Sequence, residues 1–141
     1  MDPYRSKDGM AAMARLPKGS DLLGELTRMT TELGMRAGTV QVIGAVSSLV
    51  LGYYHQDRKE YETLDTPGHW EIASGLGNVS IRDGAPFVHI HIVASGSDGS
   101  AVGGHLMAGT EVFAAEAYVR ALDGEAPVRV PDEHTGLALW A

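Results

Sequence analysis

At 141 residues, with 44% apolar and 21% charged residues, the chain fits one ordinary globular domain and lies far from the composition of a disordered one. It has no cysteine, which excludes disulfides, thiolate metal sites and a cysteine nucleophile. Eighteen acidic residues against eleven basic ones give a formal charge of −7, and Arg58-Lys59 is the only adjacent basic pair. That scatter argues against nucleic-acid binding by this chain alone, because such proteins concentrate their basic charge.

Residues 1–9 are polar and turn-rich and read as a loose N-terminus, leaving 10–141 as a single domain with its tail included. They lack the apolar core of a secretory signal, and no apolar run approaches the ~20 residues of a membrane helix, so the expected location is cytoplasmic. Met10 to Leu16 reads as a short strand broken by Pro17-Lys-Gly-Ser20. Ser20 is an N-cap candidate with Asp21 in the first turn, and Leu22, Leu23, Leu26, Met29, Thr30 and Leu33 follow at helical spacing. This predicts one main helix over about 21–33, closed by Gly34 and carrying an interior Gly24.

Beyond Gly38 the pattern is β. Thr39–Ile43 and Ser47–Tyr54 are strands around a bend at Gly44-Ala45. Glu60–Leu64 is a short exposed strand with Tyr61 inward. Trp70–Ile81 is a long strand with Gly75 and Gly77 marking a bulge or sharp curvature. Thr110–Leu122 has helix-like composition but unbroken alternation, which places Phe113, Ala115, Ala117, Val119 and Ala121 on one strand face; the strand reading is preferred and the helix stays open. The end, with Pro127, Pro131 and Leu137-Ala-Leu-Trp140, reads as an extended tail docking by its hydrophobic end. The sum is an α+β domain: a strongly bent antiparallel sheet of seven or eight strands with one main helix packed on it.

Phe87-Val-His-Ile-His-Ile-Val93 and Val102-Gly-Gly-His-Leu106 read as a hairpin that holds three of the six histidines. Side chains at i and i+2 share a strand face, so His89 and His91 point the same way. A three-residue loop Ser97-Asp98-Gly99, with its glycine in the left-handed region, pairs Gly96 with Ser100. That register sets His91 opposite His105 and His89 opposite Met107. Val88, Ile90, Ile92, Val102 and Leu106 then make a coherent core face behind the histidines. Three neutral imidazoles can hold zinc or a similar divalent ion, and such a set leaves a fourth position open for a water or ligand. Histidines on a half-exposed sheet face serve equally well as polar surface or as a subunit contact. Glu71 is the favoured carboxylate to support such an ion or act beside it as a general base, with Glu111 and Glu116 similar; an edge-strand surface charge is its simpler role. His55, His69 and His134 read as surface residues.

Several runs together resemble the plants and prokaryotes conserved (PPC) domain: Arg15-Leu-Pro-Lys-Gly-Ser-Asp-Leu22, Val42-Ile-Gly-Ala-Val46, Glu71-Ile-Ala-Ser-Gly-Leu-Gly-Asn78, Pro86-Phe-Val-His-Ile-His-Ile92, Asp98-Gly-Ser-Ala-Val-Gly-Gly-His-Leu106 and Thr135-Gly-Leu-Ala-Leu-Trp140. The resemblance covers about residues 10 to 140. It implies a stand-alone prokaryotic member, related to the domain of plant AT-hook proteins, that assembles as a homotrimer. It also implies a zinc set near the subunit contacts, which carries over to His89, His91 and His105. Prokaryotic members are often labelled DNA-binding by analogy, but residues 1–9 contain no Arg-Gly-Arg-Pro type AT-hook. The expectation is therefore a trimeric binding module with a three-histidine divalent metal site, open to a small-molecule ligand. The alternative is a metal-dependent enzyme using a metal-bound water on a small substrate, and a third reading is a DNA-associated regulator.

Overall fold

The computed structural model describes residues 3–141. One helix, α1 (Leu22–Glu32), packs on a large antiparallel sheet, as the α+β reading expects. The sheet contains β1 (Tyr4–Arg5), β2 (Ala11–Leu16), β3 (Gly38–His55), β4 (Glu60–Thr66), β5 (Trp70–Arg82), β6 (Ala85–Ser95), β7 (Ala101–Leu106) and β8 (Glu111–Ala121). Two further strands, β9 (Arg129–Pro131) and β10 (Ala138–Trp140), pair with each other. Tyr4 and Arg5, inside the stretch expected to be loose, pair with Met13 and Ala12. Among the described residues no helix is long and apolar enough to cross a membrane.

The sheet runs β1-β2-β8-β3-β5-β6-β7, with β4 also on β3. It curls far enough for β7 to return to the far half of β3, pairing Leu51 with Leu106 and Gly52 with His105. Strands β3, β5, β6 and β7 therefore close a ring. The 18-residue β3 makes this possible by serving different partners along its length: β5 and β8 on its first half, β4 and β7 on its second. The two strands expected around Gly44-Ala45 are one strand with a bulge, where Gly44 takes a φ of 129° and the register against β5 shifts. On β5 the bulge falls between Ile72 and Ser74 rather than at the glycines. Gly75 and Gly77 instead permit close approach: a Cβ at Gly75 would stand 2.4 Å from Val42 Cγ1, and one at Gly77 2.3 Å from the His89 carbonyl.

One face of the curled sheet and α1 enclose the core. Leu22 and Leu26 from the helix meet Val40, Leu49, Leu51, Ile90, Ile92, Leu106 and Val112, all essentially fully buried. Each such side chain contributes about 1.5–3 kcal/mol relative to exposure. Residues 111–121 form a strand, and Ala115, Ala117 and Val119 face the core as expected. Phe113 does not. The register against β3 slips around Ala45–Ser48, Val112 takes the buried place, and Phe113 turns outward. The tail is not simply extended either. It folds back as the β9–β10 hairpin, and Trp140 and Leu139 stay partly exposed.

The helix N-cap is Asp21, not Ser20. Its Oδ1 accepts from the Gly24 amide at 2.7 Å, while Ser20 Oγ turns back to the Pro17 carbonyl at 2.6 Å. Gly24 leaves room for this cap, since a Cβ there would sit 3.1 Å from Asp21 Oδ1. The other oxygen, Oδ2, accepts from the Gly109 amide at 2.6 Å and ties the helix start to the β7–β8 turn. Replacing Asp21 by Ala leaves both amides without their acceptor. The expected loss is about 1–2 kcal/mol, read as a lowered denaturant midpoint at unchanged m-value, whereas Ser20→Ala should cost markedly less.

Candidate metal centre

Alternation along β6 builds the site. Val88, Ile90, Ile92 and Ala94 enter the core, so His89, His91 and Val93 must face away from it. Strand β7 lies alongside with His91 directly paired to His105, the register expected from the loop. The loop has the expected form: Gly96 N–H donates to the Ser100 carbonyl at 2.8 Å, Gly99 adopts a φ of 79°, and Asp98 Oδ1 accepts from the Ser100 amide. The expected pairing of His89 with Met107 does not form. The β6–β7 ladder ends at His91–His105, and the Met107 amide donates to the Val50 carbonyl across the ring closure.

The three imidazoles converge. Their ring centroids stand 5.0 to 5.5 Å apart, and one nitrogen from each lies within 4.8 Å of the others. Nε2 of His89 is 3.2 Å from Nε2 of His91. Tyr61 of β4 stacks against His105 at 5.4 Å, beside Gly52, which places no side chain over that imidazole. His89 and His105 are half-buried, and His91 is exposed. Burial pushes His89 down to about 4, helped by His105, the Arg129 guanidinium and His91. Burial, His91 and Arg129 lower His105 as well. Both rings are thus neutral near pH 7, the form that ligates metal.

Arg129 of β9 reaches the same place from the far end of the chain. Its Nε donates to Ser80 Oγ at 2.8 Å, Nη1 to the Ala138 carbonyl at 2.9 Å, and Nη2 to Asn78 Oδ1 at 3.2 Å and to His89 Nδ1 at 3.4 Å. Asn78 pairs with His89 across β5–β6, so one guanidinium grips both strands and the hairpin. A cleft of about 130 Å³ opens here, lined by Tyr61, Arg82, Phe87, His89, His105 and Arg129, with Leu137–Leu139 as one wall. Sequence reasoning missed Arg129, Arg82 and Tyr61. The only local signal for Arg129 was a lone cation between Val128 and Val130 in a proline-flanked tail.

Glu71 is not brought to the cluster. It pairs with Ala45 and Ser95, five positions along β5 from the Leu76–His91 pair, and with His69 and Trp70 it lines a separate hollow of about 380 Å³. His55 pairs with Glu62 at 2.6 Å, away from the three histidines.

The fold and these motifs agree with comparison to known proteins. The family model described as the Plants and Prokaryotes Conserved (PCC) domain matches residues 5–123. The chain belongs to this family. Among solved PCC-like folds, a metal-containing protein from Archaeoglobus fulgidus is 44% identical, with a TM-score of 0.89 over 99% of this chain and 96% of that one. A plant- and prokaryote-conserved (PPC) protein from Pyrococcus horikoshii is 34% identical, with a TM-score of 0.88 over 99% and 93%. A protein from Bacteroides thetaiotaomicron, called a “putative DNA-binding protein”, is 25% identical, with a TM-score of 0.89 over 99% and 96%. No curated protein matches.

The residues present fit a divalent ion. Two nitrogens on a tetrahedral zinc at ~2.0–2.1 Å stand ~3.3–3.4 Å apart, close to the His89–His91 spacing. His105 Nδ1 is buried with no hydrogen-bond partner, an orphaned lone pair or proton that a ligand at this spot would explain.

In the metal-free protein the depressed histidines set a pH dependence. Between about 4 and the ordinary ~6.5 the unfolded chain binds the proton that folded His89 refuses, so stability is lost as pH falls through that window and levels off below it. Denaturant midpoints of metal-free protein should fall from about pH 7 to about pH 4.5, and His89→Gln should flatten the curve over this range. Superimposable curves for the two proteins would show that His89 titrates normally.

Proposed function

We propose that this PCC-domain chain is a homotrimeric binding module that holds one divalent metal, zinc in first preference, on His89, His91 and His105. The convergence of three imidazoles on the sheet face away from the core, with His89 and His105 held neutral by burial, is the observation that carries the reading. The Archaeoglobus relative described as metal-containing, at 44% identity over nearly the whole chain, supports it. All three ligands would be imidazoles, which favours zinc over the oxygen-seeking magnesium or calcium. When bound, the ion would supply a Lewis-acidic position facing the cleft that Tyr61, Phe87 and Arg129 line.

Assembly is supported by the character of the same sheet face. Met13, Ile43, Leu76, Val93 and Phe113 are between 47% and 61% exposed. Registered pairs run in one row, Met13–Tyr118–Gln41–Leu76–His91–His105, from the β2 side of the sheet to the histidines. An apolar face of this kind on an otherwise acidic protein is suited to a second copy. The family resemblance implies the number three and a metal set near the contact.

The enzymatic alternative keeps the open metal position and the cleft but lacks a placed carboxylate, because Glu71 lies elsewhere. A DNA-associated role rests on the designation of the Bacteroides relative and is opposed by the charge of −7. The expected compartment is the cytoplasm.

Metal analysis of protein purified without added metal tests the first part. Wild type should carry about one transition-metal ion per chain and His89→Ala/His91→Ala should carry none; a wild type without stoichiometric metal would end the proposal. Light scattering tests the second. Wild type should have three times the 14.9 kDa chain mass. Leu76→Glu should dissociate it, with unchanged far-UV circular dichroism, because this side chain is 61% exposed within one chain. A wild type of single-chain mass would sink the trimer.

A further inference from the structure

The cleft beside the histidines is charged in a way that the metal reading does not require. Arg129 is only partly exposed, and among the described residues no carboxylate lies within 4 Å of it. Four of its five N–H groups have acceptors: a hydroxyl, a carbonyl, an amide oxygen and an imidazole nitrogen. All four are neutral, so the guanidinium is held in place without its charge being cancelled. One Nη1 hydrogen remains free. Arg82 adds a second positive charge to the same cleft. Among the described residues its only carboxylate partner is the adjacent Asp83, at 3.7 Å. The two guanidiniums share the Phe87 ring, with their carbons 5.3 and 5.1 Å from its centroid. Burial and the charge of Arg82 both work against the charge on Arg129.

One guanidinium without a carboxylate partner and a second, half-exposed one paired only with the adjacent Asp83 meet around one small cavity, on a protein of net charge −7, and a negative group entering there would relieve their repulsion. Arg82 can offer a carboxylate its two-donor fork, and Arg129 its charge and its remaining Nη1 hydrogen, so together they suit a molecule with two carboxylates. The cavity, at about 130 Å³, is well below the ~300 Å³ at which sites for drug-sized molecules begin. It suits a molecule of a few heavy atoms. Tyr61 and Phe87 bound it with apolar ring surface and Tyr61 adds a hydroxyl, so a short carbon backbone between the charged ends fits better than a bare inorganic ion.

We propose that the cleft between Arg82, Arg129 and the histidines binds a small organic dicarboxylate, gripped by both guanidiniums over Phe87 with one end turned toward His89 and His105. The proposal rests on the metal reading only for the contact at that last end, where a carboxylate oxygen would take the open position at the three-histidine site. The two arginines are ligand-binding residues in this account, and Arg129 has the added task of holding the C-terminal hairpin as the wall of the site.

Calorimetric titration with malonate, at about 20 mM ionic strength where screening is weak, tests it on metal-free and zinc-loaded full-length protein. Malonamide, of the same shape and uncharged, is the control. Malonate should bind both forms, more tightly with zinc, and malonamide should bind neither. Arg82→Gln, a half-exposed position whose loss leaves the core intact, should weaken malonate by about tenfold or more. Arg129→Lys, which keeps the charge and loses the fixed Nη1 donor, should weaken it at unchanged zinc stoichiometry. If zinc binds one per chain and malonate binds neither form, the dicarboxylate proposal fails and the metal reading stands. If malonate binds and zinc does not, the metal reading fails alone. Malonate binding that neither arginine variant weakens overturns the proposed site.

Discussion

Strand β7 is hydrogen-bonded on both sides. It meets β6 through the His91–His105 pair and β3 through Gly52–His105, so the backbone of His105 sits where the curled sheet closes. The closure is held from the core side by Leu51 and Leu106, both fully buried and paired to each other. Imidazole positions therefore depend on apolar packing behind them rather than on contacts among themselves. Such an arrangement keeps three mutually discouraging bases together without a bound ion, since burying Ile90, Ile92 and Leu106 outweighs the small cost of crowding neutral rings. The glycines serve the same end. Gly104 stands where a Cβ would come within 3.0 Å of the Gly52 carbonyl, and Gly77 where one would strike the His89 carbonyl. Side chains at either position would push β7 or β5 away from its neighbour and open the cluster.

A second system is laid over this frame by the tail. Tyr54 donates to the Thr135 carbonyl and Lys59 to the Glu133 carbonyl, which fastens the hairpin to β3 and the β3–β4 turn. The Ile81 amide donates to the Pro127 carbonyl, which fastens its start to β5. Arg129 is the contact through which the hairpin reaches the histidines, and Trp140 and Phe87 flank its guanidinium. The hairpin is thus attached by polar bonds and cation–π contacts at the surface. Segments held in this way open at lower free-energy cost than core strands. Access to the cleft can change without disturbing the ring closure beneath it.

How much of this was legible in the sequence follows from the range of each interaction. The His91–His105 register could be read because two local signals agree: period-2 apolar residues at Val88, Ile90 and Ile92, and a loop glycine at Gly99 that sets the pairing. The helix was equally local, although Ser20 and Asp21 are adjacent residues of good capping type and only tertiary contact with Gly109 separates them. Phe113 was misplaced because it is itself the bulged residue of β8, skipped between the Ala45–Ala114 and Val46–Val112 pairs, and the apolar alternation of the sequence reads the same with or without that bulge. The expected His89–Met107 pair failed because β7 exchanges β6 for β3 after His105, a choice made by the curvature of the whole sheet. Arg129 was invisible for a related reason: its partners Asn78 and Ser80 are about fifty residues away in sequence, and no pattern of spacing links them.

The contact between Arg129 and His89 joins the two systems chemically. A guanidinium only donates, so the nitrogen it faces, His89 Nδ1, must accept, and the ring proton of the neutral imidazole then sits on Nε2. That proton points to Nε2 of His91 at 3.2 Å, a spacing that serves an N–H···N bond in the metal-free protein and two ligands of one ion alike. For His89 to offer Nε2 as a ligand, the proton must move to Nδ1, where it would face a second donor across 3.4 Å. Metal-ligating histidines ordinarily place an acceptor, a carboxylate or a carbonyl, at this position. Among the described residues the group at this position is Arg129, a donor, and no acceptor stands there. A bound carboxylate would provide one, accepting from Arg129 and from His89 together, and would offset the charge that a divalent ion adds beside two guanidiniums. Anion and cation would then favour each other's binding by the same factor, as linkage requires, and each alone would bind this cleft less well than the pair.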